Sequence, residues 1–298
     1  MSRVFDALER SQQETVPGSA PAISAVELLG RSEALSPGVA SVPSFRPVIP
    51  PESRIEAFTN PDSFAAEQFR VLGARLRHVA ETRPLKAVLL TSASFQEGKS
   101  LVCLNLAVTL AKRAHMRVLV VEGDVRKPAL SNMLGLPRLR GLSDWIACKE
   151  PLTNFICRIT DLDLWLLPAG NSCSQPLELV QSPRMRELVS QTREEFDWVL
   201  MDSAPLLVSD ASILSRLADG TLVVVRQERT HKRVLQRSLG AVEKLLGFVL
   251  NDCATRDPRG YEQHYPQGAT NGNGASRPKA PSDVSQPAHD SCEMPRPA

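Results

Sequence analysis

Six short, unbroken apolar runs punctuate the middle of the chain, at 87–90, 118–121, 164–167, 198–201, 222–225 and 248–250. Runs of this length without polar alternation suit strands buried on both faces. Helical periodicity falls between them, near 98–113, 183–195, 210–218 and 230–245. The alternating order predicts an α/β fold, a mostly parallel sheet with helices on both faces. Ahead of the first strand, Ala65, Phe69, Leu72, Leu76 and Val79 form one stripe, with Glu67, Arg70, Ala74 and Arg77 opposite, which predicts an amphipathic helix over 63–79.

The two ends carry a different pattern. Val4, Phe5 and Leu8 have the spacing of a short amphipathic helix over 3–12, and 16–55 is rich in Pro, Ser, Ala and Gly, as in an extended linker. Past Cys253 apolar periodicity stops and Gly, Pro, Asn and Ser dominate, so 255–298 is expected to be disordered. The predicted organisation is a short N-terminal helix (1–15), a linker (16–55), one folded domain (56–254) and a tail (255–298).

Composition narrows the class. Of 298 residues 42% are hydrophobic, enough for one core, yet no apolar run approaches the ~20 residues that cross a bilayer. With no apolar stretch behind a basic leader, a cytoplasmic protein, soluble or peripheral, is expected. The six cysteines show no C-x-x-C pair and no histidine spacing that suits zinc, and are read as mostly buried thiols. A net charge of +2 is too small to argue for nucleic acid as the main partner, and none is expected. Arg226, Arg229, Lys232, Arg233 and Arg237 form a basic run that could meet anionic lipid or an acidic partner, or be a solvated helix face.

The chemistry concentrates at the ends of three predicted strands. The segment 92–100 reads Ser-Ala-Ser-Phe-Gln-Glu-Gly-Lys-Ser, between a strand and a helix. Backbone N–H groups at such a turn can surround phosphates, while Lys99 reaches their outer oxygens and Ser100 holds magnesium. A strict G-x-x-x-x-G-K-[ST] pattern fails, because Ala93 stands at the first glycine. Asp202, closing the run 198–201, can bind magnesium directly or through water, or else cap a turn or helix. Glu122 and Asp124 end another strand. They can orient magnesium or take a proton from an attacking hydroxyl, or else cap the helix near Pro128. The ordered set points to MgATP.

At these residues the chain resembles the bacterial tyrosine kinases of capsule and exopolysaccharide export, in their cytoplasmic form, within the deviant Walker ATPases. The resemblance covers about 56–265. It rests on Gly98-Lys99-Ser100, on Asp124 and Arg126, on Asp202 with Pro205, and on further likenesses at 126–128, 167–170, 182–185, 209–211 and 249–251. It implies that Gly98, Lys99 and Ser100 bind the nucleotide, that Ser100, Asp124 and Asp202 serve the metal, and that Asp124 with Glu122 activates a tyrosine hydroxyl. Asn251 would face adenine. Phe95-Gln96 departs from the family's Pro-Gly, and Glu122 from its first aspartate, which puts full kinase activity in question.

Tyr261 and Tyr265 are the only tyrosines in the chain. By resemblance to the family's autophosphorylated cluster they are the expected phosphoacceptors. Extended chain from Asn251 reaches at most ~35 Å to Tyr261 and ~50 Å to Tyr265, enough to enter a neighbouring subunit's site. The family's Glu-x-x-Arg-x-x-Arg assembly motif is matched at Glu67 and Arg70 but not at Gly73, so the 63–79 helix is the expected route to a homo-oligomer. Implied partners are a membrane activator of the chain-length-determinant type, which would hold the protein peripherally at the inner membrane, and a tyrosine phosphatase. The rival readings are a nucleotide switch of the septum-positioning or partitioning type and a catalytically weakened scaffold. The former carries an extra lysine early in the loop, where this chain has Ser94, Phe95 and Gln96.

Overall fold

The structure, a computed structural model, describes Val39, residues 41–50 and residues 53–253, the side chain of Arg113 apart. The helix expected over 3–12, the linker up to Gly38, and the 255–298 tail with Tyr261, Tyr265 and Cys292 lie outside the described residues.

Eight strands form one sheet: β1 (Ser44–Phe45), β2 (Ala87–Ser92), β3 (Val118–Glu122), β4 (Cys157–Ile159), β5 (Leu164–Leu167), β6 (Trp198–Asp202), β7 (Gly220–Arg226) and β8 (Leu245–Asn251). Their order is β1-β4-β5-β3-β6-β2-β7-β8. All neighbours run parallel except β4 and β5. The nine helices among the described residues are α1 (Glu56–Thr59), α2 (Phe64–Thr82), α3 (Lys99–Ala114), α4 (Leu130–Met133), α5 (Leu142–Ala147), α6 (Pro176–Gln181), α7 (Pro183–Glu195), α8 (Ser209–Leu217) and α9 (Lys232–Leu239).

Alternation along the buried strands divides the core between the two faces of the sheet. Val88, Leu90, Val118, Val120 and Leu200 pack beneath α3, with Leu104, Leu106 and Leu110. Leu89, Leu119, Val121, Val199 and Met201 face the other way, onto Met185, Leu188 and Val189 of α7, Leu214 of α8 and Trp145 of α5. Every residue of β2, β3, β5 and β6 is buried, which is why these strands read as continuous apolar runs. In α2 the Ser63 Oγ accepts from Ala66 N at 3.1 Å, the N-cap that its position ahead of the stripe suggests.

Three expectations are corrected. The end of the 16–55 segment is not free of the core: Val39, Val42 and Ile55 are buried, and Ser44–Phe45 adds β1 to the open edge of β4. The helix expected over 230–245 is shorter, because α9 ends at Leu239 and β8 begins at Leu245, pairing with β7. Of the five cysteines described, Cys103 and Cys157 are buried, Cys148 and Cys173 are half-buried and Cys253 is exposed, so buried thiols are a minority; all five are free.

Candidate active site

Sheet order brings the three polar strand ends together. β6 lies between β2 and β3, so the loop after β2, the end of β3 and Asp202 share the carboxyl edge of three adjacent strands. This is the edge at which open α/β sheets bind ligands.

The loop after β2 is held by its own polar groups. Ser92 Oγ donates to the Ser94 carbonyl at 2.6 Å, and Thr91 Oγ1 to that of Ala204 at 2.8 Å. Gly98, at φ +89°, is the left-handed residue that opens α3. Gln96 is also left-handed at φ +61°, at the place where the family's glycine is missing. A left-handed non-glycine residue costs roughly 1–2 kcal/mol, and outside tethers hold this loop. The buried Glu97 carboxylate accepts from Ser94 N at 3.0 Å and from Thr230 Oγ1. Asn251 Nδ2 donates to the Glu97 carbonyl at 2.9 Å, and Arg226 Nη1 to that of Gln96 at 3.3 Å.

Lys99 Nζ lies 2.9 Å from Asp124 Oδ2, 3.9 Å from Asp202 Oδ1 and 3.3 Å from Ser100 Oγ. Burial opposes its charge, but Asp202 and Asp124 outweigh that and hold the amine above its ordinary value. Ser100 Oγ donates to Asp202 Oδ2 at 2.6 Å. Asp202 is fully buried, and burial raises it to about 7; Lys99 and Ser100 pull it down, while Asp124 and Glu122 push it further up. Its Oδ1 is buried with no hydrogen-bond partner among the described residues. An orphaned carboxylate oxygen beside a serine hydroxyl is a donor set that fits magnesium, a hard cation that takes oxygen ligands and keeps several waters.

Glu122 is placed differently. Its Oε1 accepts from Leu130 N at 2.6 Å and Ser131 N at 3.3 Å, and its Oε2 from Ser131 Oγ at 2.8 Å and Ala169 N at 3.0 Å. Four donors anchor this carboxylate to the start of α4 and to the turn after β5. Asp124 accepts from Lys127 N at 3.1 Å through Oδ1 and leaves Oδ2 to Lys99. Beside these residues opens a cleft of about 500 Å³, whose walls include Glu122, Val125, Arg126, Arg138 and Cys173.

No family model matches the chain. Tyrosine-protein kinase YwqD of Bacillus subtilis is 31% identical over 205 residues, which make up 67% of this chain and 86% of YwqD. The chain belongs to the bacterial tyrosine kinases. Tyrosine-protein kinase Wzc of Salmonella typhimurium is 31% identical over 72% of the kinase described here, which spans 30% of Wzc. The crystal structure of the chimerical protein CapA2B2 superposes with a TM-score of 0.64 at 27% identity, over 72% of this chain and 96% of that one. The fold read from the alternation of strands and helices is thus that of the kinase's relatives, and membership implies a nucleotide site.

Of the residues singled out in the kinase sequence, Gly98, Lys99, Ser100, Asp124 and Asp202 meet within one cluster, and Asn251 backs the loop. Glu67 and Arg70 lie elsewhere, on α2, paired with each other; Arg70 Nη1 also donates to the Pro61 carbonyl at 2.6 Å. Gly73 is buried, and a Cβ there would stand 3.4 Å from Leu110 of α3. Sequence reasoning missed Glu97 and Thr230, which no periodicity marks. It named Arg126 and Asp210 as separate likenesses, but not the ion pair that joins them at 2.6 Å.

Proposed function

We propose that this kinase transfers phosphate from MgATP to its own tyrosines, Tyr261 and Tyr265, as part of the control of capsule or exopolysaccharide polymerisation and export. The observation that carries the reading is the cluster at the carboxyl ends of β2, β3 and β6, where one lysine is shared by two buried carboxylates and one of these takes a serine hydroxyl.

Lys99 would hold the phosphate oxygens, and Ser100 with Asp202 would hold magnesium. When bound, MgATP supplies the transferable phosphoryl group and the cation that offsets its charge. As Lys99 turns towards phosphate it releases Asp124 Oδ2, which then accepts the proton of the tyrosine hydroxyl. Glu122, with both oxygens occupied, positions α4 and the turn at Ala169. Asn251 braces the loop through Nδ2, and its side-chain amide would face adenine. The cleft beside Asp124 suits an incoming acceptor.

Homo-oligomerisation would run through α2, with Glu67 and Arg70 paired in readiness. A membrane protein of the chain-length-determinant type would recruit the kinase, offset the altered Phe95-Gln96 loop and raise autophosphorylation; a tyrosine phosphatase would reverse it. The test is phosphotyrosine formation by the full chain, alone and with such a membrane protein. Activity that needs Lys99 and rises with the partner supports the reading, whereas ATP turnover without phosphotyrosine would favour a nucleotide switch.

A further inference from the structure

Four basic side chains left without a role by kinase chemistry lie at one edge of the sheet. Arg229, Lys232, Arg233 and Arg237 are exposed, and none makes an ion pair among the described residues. Arg233 and Arg237 stand one turn apart on α9. The opposite side of the helix, with Leu235 and Leu239, packs on Leu206, Ala211 and Val223. Nearby acids do little to neutralise this face: Glu243 pairs with Arg216 at 3.2 Å, Asp252 pairs with Arg226, and Glu228 is the single acidic residue between Arg226 and Leu239.

The edge strand adds apolar surface on the same side. Parallel register sets Phe248 opposite Val223 and Leu250 opposite Val225. Paired residues of neighbouring strands share a face, and Val223 and Val225 belong to the cluster beneath α9. Phe248, 44% exposed, and Leu250, 66% exposed, therefore flank α9 on its own side of the sheet. Scattered exposed apolar residues need no explanation. Two on one face, beside four cations on flexible stems with no ion pair among the described residues, make a surface of definite chemistry.

We propose that α9 and the outer face of β8 dock directly on an anionic lipid surface. The cations would meet headgroup phosphates, with Phe248 and Leu250 at the acyl boundary. Fluid headgroups ask for charge and apolar contact rather than a fixed pattern of donors, which is what Arg233 and Arg237 on the outer face of α9, with Lys232 and Arg229 at and just before its start, offer. The proposal goes beyond the kinase reading, in which the membrane is reached through a protein partner. Among the described residues no helix is long and apolar enough to cross a membrane, so contact here would be peripheral.

The test is sedimentation of the full chain, without nucleotide, with vesicles of phosphatidylcholine alone or mixed with phosphatidylglycerol, at low and high salt. Binding is expected to the anionic vesicles, weakened by salt, and not to the neutral ones. Arg233→Gln combined with Arg237→Gln should weaken it about thirtyfold, at roughly fivefold per cation. Leu250→Ser should weaken it while leaving the salt dependence as it was. Both changes are at exposed side chains, and an unchanged melting temperature with retained ATP binding confirms the fold. Absent binding, equal binding to neutral vesicles, or full binding by the double variant overturns the proposal. So does capture of an acidic protein by a chain that ignores vesicles. Each of these outcomes leaves the kinase assignment intact, because no arm uses ATP turnover.

Discussion

A Cβ on Gly98 would fall 2.0 Å from Nδ2 of Asn251, so the loop after β2 and the end of the edge strand are fitted to one another through the absence of a side chain. Gly98 also sits at φ +89°. Gly98→Ala therefore meets two penalties, a left-handed alanine and a steric overlap, which together should cost about 3 kcal/mol. Asn251→Ala added to Gly98→Ala should recover the steric share and not the conformational share. Urea unfolding of the single and double variants measures both; full recovery would show that backbone conformation plays no part.

Gln96 at φ +61° makes a second prediction with the opposite sign. Gln96→Gly removes the left-handed penalty but adds unfolded-state freedom, for a net gain of about 0.5–1 kcal/mol. The same variant should bind ATP more tightly, since the loop no longer depends on the tethers from Thr230, Asn251 and Arg226. Isothermal titration and denaturant midpoints test the pair of effects, and a loss of both would show that Gln96 makes a contact of its own.

Glu122 is predicted to act through structure. Glu122→Ala strands the N–H groups of Leu130 and Ala169 in the interior and should cost about 3 kcal/mol. Glu122→Gln, which keeps size and an acceptor oxygen, should retain far more transfer activity than Asp124→Asn. A Glu122→Ala protein of wild-type stability but without activity would give the carboxylate a direct chemical role instead.

Asp202 carries a pH signature. Its ordinary value of 3.8 is raised to about 7 by burial, so between these limits the folded protein holds a proton that the unfolded chain has lost. This group's contribution to stability is then largest at acid pH and falls as pH rises through the window. Asp202→Asn, which cannot ionise, should gain on the wild type by ~2 kcal/mol between about pH 5 and about pH 8 in the absence of nucleotide. Urea midpoints at the two pH values check the difference. A gap that stays constant, or shrinks towards pH 8, would contradict it.

The strand ends of the site were legible because β2, β3 and β6 are buried along their whole length, so each appears as an apolar run with its polar residue just beyond. Their adjacency was not, since it depends on β6 inserting between β2 and β3. Glu97 and Thr230 are 133 residues apart and meet only in the fold, as do Arg126 and Asp210. β4 has three residues and β1 two, too few to show a period, and both are recruited by a neighbouring edge. α5 and α6, of six residues each, complete barely two turns and gave no helical signal.

The most direct test of the central claim is phosphosite mapping of the full chain after incubation with labelled ATP and magnesium, with Lys99→Met as its background. Lys99→Met deletes the amine that two carboxylates hold charged and should lower ATP affinity at least ~100-fold through lost charge-assisted contacts. Label on Tyr261 and Tyr265 in the wild type, and on neither in Lys99→Met, is the predicted result. Label confined to serine, threonine or carboxylate side chains, or undiminished label in Lys99→Met, would contradict the account.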